Sequence, residues 1–320
     1  MRPSGTAAQD RRLRKVTDCV IETQNACKRY GKLRALDQVS IRVRRGEIYG
    51  LIGDNGAGKT TLLKALVGHI WCDEGTVHLL GSQSAHELNA ARRQVGAMIE
   101  RVGCFPSLTV EKNIEYCRML KGIPDKRKVG EILELVGLSD KAKAKCKSLS
   151  MGMQQRLGLA IALIGEPQIL ILDEPINGLD QSGIHEMREL LKSLNTQKNI
   201  TILLSSHILS ELQQTATTFG FLAKGKLVEE IGIRELTEKC ADYLEIALSD
   251  VAAFAAILDK ERPQTRYIVT PDNKIRLYDA APAYEFSKLA AEHGILVSEL
   301  EHHACSLEDY YMHLKEGHHA

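Results

Sequence analysis

Two hydrophobic patterns alternate along most of the chain. Ile48–Ile52, the Ile-Leu-Ile-Leu of 169–172 and the Ile-Leu-Leu of 202–204 are short, nearly continuous apolar runs. Runs of this kind, too short for helices and without polar alternation, suit strands of a parallel sheet covered on both faces. Val95, Ala97 and Ile99 predict a further strand that exits at Glu100, with Gly103 and Pro106 as breakers. Between the strands, apolar residues recur at helical spacing: Leu62, Leu63, Leu66 and Val67, then Val129, Ile132, Leu133, Leu135 and Val136. The pattern also predicts a helix near 109–121, and LGLAIALIG (157–165) has the length of a buried core helix. Strands alternating with helices predict an α/β fold with a parallel sheet.

Past residue 235 the pattern changes. DYLEIALSD predicts a strand, VAAFAAILDK a helix, and TRYIVTPDNKIRLYD two strands joined by a polar turn at Pro271-Asp272-Asn273. AYEFSKLAAEHG predicts a helix, GILVSEL a strand and SLEDYYMHLKEG a closing helix. Residues 236–320 are therefore expected to form a small α+β appendage, with packing or dimer support as its role. Residues 19–235 form the main domain, and the basic stretch 1–18, which lacks an apolar signal region, is expected to be a disordered tail.

Composition narrows the partners. The 320 residues carry a net charge of +1, which gives no strong field toward nucleic acid, and none is expected as a partner. No run of about 18 apolar residues exists to span a bilayer. The eight cysteines are scattered without a C-x-x-C pair and are expected to be free thiols. The lysines of 141–147 are expected to form a solvated face.

GDNGAGKT (53–60) fits G-x-x-x-x-G-K-[ST] between a predicted strand and a predicted helix, the context that this motif needs. Its glycines let backbone N–H groups turn inward around phosphate oxygens, and the helix N-terminus adds positive potential. Gly53, Asn55, Gly56, Gly58, Lys59, Thr60 and Thr61 are the nucleotide-binding candidates. Lys59 is expected to reach the β- and γ-phosphates of ATP, and Thr60 to offer its hydroxyl to Mg²⁺. A buried strand that ends in two acids, Asp173 and Glu174, is costly unless the acids meet a cation or another partner. Asp173 is therefore expected to hold Mg²⁺, and Glu174 to accept a proton from the water that attacks the γ-phosphate. His207 follows the strand ending at Ser205-Ser206 and is expected to donate to the γ-phosphate.

KSLSMGMQQRLGLAIALIGEPQILILDEPINGLD (147–180) resembles the ATP-binding subunits of ABC transporters, and the resemblance covers roughly residues 20–235 with every motif in order. It implies an α/β P-loop ATPase of ABC type, a mixed sheet core plus a helical subdomain at about 105–165. LSMGM (149–153) stands at the position of the family's LSGGQ signature, whose loop faces the γ-phosphate held by a second subunit. Ser150 and Gly152 match the pattern; Met151 and Met153 depart from it. Asp180 in NGLD matches the acid of the loop that crosses the dimer interface, and Tyr30 matches the aromatic that stacks on adenine.

In this family a Gln ends the strand at 95–100 and touches Mg²⁺ or the attacking water; VGAMIE followed by FPSLTVEKNI places Glu100 there. Glu100 is therefore expected to act at the metal, as a ligand or through water. A Glu here and a signature loop like SMGMQQRL are similar to subunits of lantibiotic self-protection exporters and their bacitracin-exporter relatives. The resemblance implies an ATP-hydrolysing subunit of an exporter of antimicrobial peptides. It also implies a homodimer, separate integral membrane permease subunits, and a cytoplasmic position on the inner face of the membrane through those permeases. A nucleotide-sensing regulatory subunit and a soluble ABC ATPase are the alternatives.

Overall fold

The computed structural model describes residues 18–100, 103–240, 243–278, 282–303, 308, 310–312 and 314. The expected N-terminal tail, apart from residue 18, lies outside them. The chain divides into two compact units between Ile233 and Arg234.

The first unit opens with strands β1 (Cys19–Tyr30), β2 (Leu33–Val39) and β3 (Arg42–Arg44). β4 (Ile48–Ile52) runs through the glycine loop into helix α1 (Lys59–Val67). β5 (Glu74–Leu79), α2 (Ala85–Arg92) and β6 (Val95–Met98) follow, then the helices α3 (Val110–Leu120), α4 (Arg127–Leu135) and α5 (Met151–Leu163). β7 (Ile169–Asp173), α6 (Gln181–Lys198), β8 (Thr201–Ser206), α7 (Leu209–Gln213), β9 (Thr218–Ala223) and β10 (Lys226–Gly232) complete it.

A six-stranded sheet forms the centre in the order β10-β9-β4-β8-β7-β6. All neighbours are parallel except β10, which returns antiparallel along β9. β4, β7 and β8 are buried at every position, which is why their sequences show no alternation. At β6 the inward positions differ from expectation. Gly96 and Met98 are buried, whereas Val95 and Ile99 pack on the core from partly buried positions.

A second sheet was not expected from the pattern. β1 pairs antiparallel with β2, β3 and β5, and its register shifts against each of them. Those irregularities break the period-two alternation on which recognition of a strand depends. The four lysines of 141–147 are exposed, as expected. No two of the seven described cysteines are joined in a disulfide; Cys305 lies outside the described residues.

The second unit has the expected order of elements. Helix α8 (Ile233–Lys239) precedes β11 (Tyr243–Leu248), α9 (Val251–Glu261), β12 (Tyr267–Val269), β13 (Lys274–Leu277), α10 (Ala283–Glu292) and β14 (Val297–His303). Its antiparallel sheet has the order β12-β13-β11-β14. β11 alternates half-buried and buried residues, as a strand covered on one face does. Phe254, Leu258, Phe286 and Leu289 fill a core with Ile246, Ile275 and Leu277. Of the expected closing helix, residues 308, 310–312 and 314 are helical and the rest lies outside the described residues. Among the described residues no helix is long and apolar enough to cross a membrane.

Candidate active site

β4, β6, β7 and β8 run parallel, so their C-terminal ends open on one edge of the sheet. In such sheets ligands bind in the crevice beyond those ends. The loop after β4 brings Gly53, buried, and Asn55 and Gly56, exposed, to that edge. Gly58 caps α1 with φ 109°, and a Cβ there would stand 2.5 Å from the Ala35 carbonyl oxygen, so both backbone and space exclude a side chain. A Cβ on Gly56 would meet nothing within 4 Å, which leaves the loop open on that side. α1 has no acid in its first turn, where Thr61 is half-buried, so its positive end is free to face an anion.

Lys59 is only 6% exposed. Its ammonium donates to the carbonyls of Gly53 (2.5 Å) and Asp54 (3.3 Å) and lies 3.3 Å from Glu174 Oε1. Three oxygens thus compensate a charge that burial would otherwise disfavour. Asp173, 8% exposed, ends β7 opposite Ser205 of β8. Its Oδ2 accepts from the Thr60 hydroxyl (2.8 Å) and its Oδ1 from the Ser205 hydroxyl (2.6 Å). Ser205 Oγ also accepts from the Glu174 amide at 3.0 Å.

Glu174 leaves the strand with left-handed backbone, φ 49°. Its Oε2 lies 2.8 Å from His207 Nδ1 and accepts from the His207 amide at 3.4 Å. Against an ionised carboxylate, Nδ1 carries the proton. The carboxylate is therefore gripped from two sides, by Lys59 and by His207. Thr60 and Asp173 offer hard oxygen donors of the kind that bind Mg²⁺. No group of three His, Cys, Asp or Glu side chains among the described residues could hold a metal.

Glu100 is placed differently from the other acids. It too has left-handed backbone, φ 61°, and its carboxylate accepts from Lys64 Nζ at 2.6 Å. A left-handed residue with a Cβ costs about 1–2 kcal/mol, so the surroundings hold this turn. Neither Lys64 nor the bridging role of Ser205 is anticipated in the sequence reading. The signal for Lys64 was present, since it stands four residues after Thr60 and shares its helix face.

Ser150, Gly152 and Asp180 form a second group. Ser150 caps α5 and accepts from the Met153 amide, and Asp180 caps α6 and accepts from the Gly183 amide. Caps of this kind contribute about 1 kcal/mol each. The first turn of α5 carries no acid, so this helix end also suits an anion. Just ahead of it Cys146 is buried; burial pushes its thiol up to about 12, and a hydrogen bond with Cys104 acts in the same direction. A Cβ on Gly152 would lie 3.3 Å from Leu179 Cδ2. Tyr30, 49% exposed, ends β1 with Lys28 Nζ over its ring, 5.8 Å from the ring centre.

Met151, the departure from the family signature, lies against Gly178. A Cβ on Gly178 would stand 2.5 Å from Met151 Sδ, and Gly178 has φ 76°. Gly178→Ala is expected to lower stability by about 1–2 kcal/mol through its backbone; the crowding adds little, because the Met151 thioether is the far end of a flexible side chain that is 56% exposed. Adding Met151→Gly should therefore recover nothing, since it also places a glycine in the first turn of α5. Thermal melting of the single and double variants measures this, and full recovery in the double variant would mean that the thioether contact carries the cost.

The ABC transporter family matches residues 36–177. The bacitracin transport ATP-binding protein BcrA of Enterococcus faecalis is 38% identical over 303 residues, 94% of this chain and 98% of that protein. BcrA of Bacillus licheniformis is 39% identical over 93% of this chain and 98% of that protein. The lantibiotic transport ATP-binding protein SrtF of Streptococcus pyogenes is 39% identical over 66% of this chain and 90% of that protein. A dimeric ATP-binding cassette in a post-hydrolysis state, bound to ADP and Pi, superposes with a TM-score of 0.61 at 26% identity, covering 67% of this chain and 99% of that one. The crevice described above lies within the part of the chain that these proteins share. The chain belongs to the ATP-binding proteins of the ABC transporter family, which are ATPases.

Proposed function

We propose that this chain is the ATP-hydrolysing subunit of an exporter that removes antimicrobial peptides of the bacitracin or lantibiotic kind from its cell. The name of the two relatives that match almost the whole chain supports bacitracin, and the name of SrtF, which matches 66% of it, supports lantibiotics. The observation that carries the mechanism is the grip on Glu174 between Lys59 and His207, beside the Thr60–Asp173–Ser205 chain.

In this reading residues 19–235 are the catalytic domain and 236–320 an accessory domain. ATP lies along the loop 53–60 with its adenine on Tyr30. Gly53, Asn55, Gly56, Gly58 and Thr61 surround the phosphates, and Lys59 turns from its carbonyl partners to their oxygens. Thr60, Asp173 and Glu100 would hold Mg²⁺, which would supply neutralising charge for the phosphates. Glu174 accepts the proton of the attacking water, and His207, its ring turned away from Glu174, donates its N–H to the transferred phosphoryl group. Ser150 and Gly152 of a second copy bind the same γ-phosphate, and Asp180 crosses between the copies. Hydrolysis opens this sandwich and drives separate membrane permeases, to which the chain is bound on the cytoplasmic side.

The test is an affinity pull-down of the chain from gently solubilised native membranes, with bound proteins identified by mass spectrometry and ATPase activity assayed in the eluate. Stoichiometric multi-span membrane proteins and turnover are expected. Soluble partners alone would refute export, and binding of ATP without turnover would favour a nucleotide-sensing subunit.

A further inference from the structure

Glu100 and Glu174 occupy matching places on neighbouring strands. β6 and β7 are parallel with Met98 opposite Leu172, and each glutamate stands two residues beyond that pair. Each has left-handed backbone. Each meets a lysine of the same helix: Lys59 Nζ lies 3.3 Å from Glu174 and Lys64 Nζ 2.6 Å from Glu100. Thr60 and Lys64 are one helical turn apart, so the face of α1 that gives a hydroxyl to Asp173 gives an ammonium to Glu100.

We infer that Lys64 is a positioning residue, which holds the Glu100 carboxylate aside until a metal–nucleotide complex competes for it. The inference rests on the reading of Glu100 given under the proposed function. The two ion pairs differ in the way such an exchange needs. Lys59 is buried and bonded three ways, whereas the Lys64 and Glu100 side chains are 27% and 58% exposed. A pair so open to solvent is weak, so a divalent cation can displace the lysine. Without Lys64 the carboxylate would lose this counter-charge, and would be available to the cation from the start. A Gln at this position has no charge for Lys64 to hold, so Lys64 matters only while residue 100 is a carboxylate.

The test is a Mg²⁺ titration of binding of a fluorescent, non-hydrolysable ATP analogue to the full chain. Four forms are compared: unmodified, Lys64→Met, Glu100→Gln and the double variant. Lys64→Met is expected to lower the Mg²⁺ concentration at half-saturation by about two- to fivefold, equal to about 0.4–1 kcal/mol. Glu100→Gln should raise it, and in that background Lys64→Met should change nothing. An equal shift in both backgrounds would mean that Lys64 acts through its own charge on the nucleotide, and would overturn the inference. No shift in either background overturns it as well. Equal melting temperatures of the four forms establish that the fold is intact, as expected for substitutions at partly exposed positions. If the unmodified chain shows no Mg²⁺-dependent binding, both this inference and the proposed function fall; if it binds normally and only the Lys64 pattern is absent, the proposed function stands.

Discussion

Glu174→Gln is expected to reduce ATP turnover by about 10²–10⁴-fold, the usual contribution of a positioned general base, while nucleotide still binds. The amide keeps the shape of the side chain but loses the acceptor for the water's proton. In the structure the carboxylate is held by Lys59 on one oxygen and His207 on the other, so its loss also weakens one ionic contact and one hydrogen bond. The phosphate contacts assigned to the loop do not involve Glu174, so the variant should accumulate the ATP-bound pair of subunits. Phosphate release measures the first effect, and size-exclusion chromatography with ATP measures the second. Turnover within a fewfold of the unmodified protein would remove Glu174 as the base.

Lys59→Ala should weaken nucleotide binding by about 10–100-fold, from the roughly 1.5–3 kcal/mol of a hydrogen bond to a charged group. Lys59 is the most buried ammonium in the crevice, and its three contacts converge on the mouth of the glycine loop. Replacing it leaves the negative phosphates facing Glu174 and Asp173 with one cation fewer. Equilibrium binding of a fluorescent ATP analogue checks this, and unchanged affinity would move the site away from this loop. The Glu174→Gln and Lys59→Ala phenotypes should differ in kind. The first separates binding from turnover, and the second lowers both.

Much of the first unit was legible because its strands are buried on both faces and its chemistry is contiguous. Ile48–Ile52, Gly53–Thr60 and Ile169–Glu174 each carry a strand and its functional exit in one stretch of sequence. The order of elements in the second unit was legible for a related reason, since β11 alternates and Asn273 turns a hairpin with φ 58°. The sheet around β1 was not legible, because its bulges shift the register against every partner. The role of Ser205 depends on its being opposite Asp173 across a strand pair 32 residues apart, which local patterns do not encode. The Lys64–Glu100 contact joins residues 36 apart and needed the crossing of α1 over the sheet to become visible. Met151 reads as a lapse from the signature, and only its seat against Gly178 gives it a physical setting.

The Ser205 hydroxyl has a mechanical meaning. One oxygen donates to the Asp173 carboxylate and accepts from the Glu174 amide, so it stitches the tip of β7 to the tip of β8. His207 leaves that same tip and is bonded back to Glu174. Asp173, Glu174 and His207, the residues proposed to hold the metal, take the proton and face the phosphate, are therefore joined to one another by hydrogen bonds at the tips of two neighbouring strands. A displacement of one strand tip would be passed to the other through a single hydroxyl.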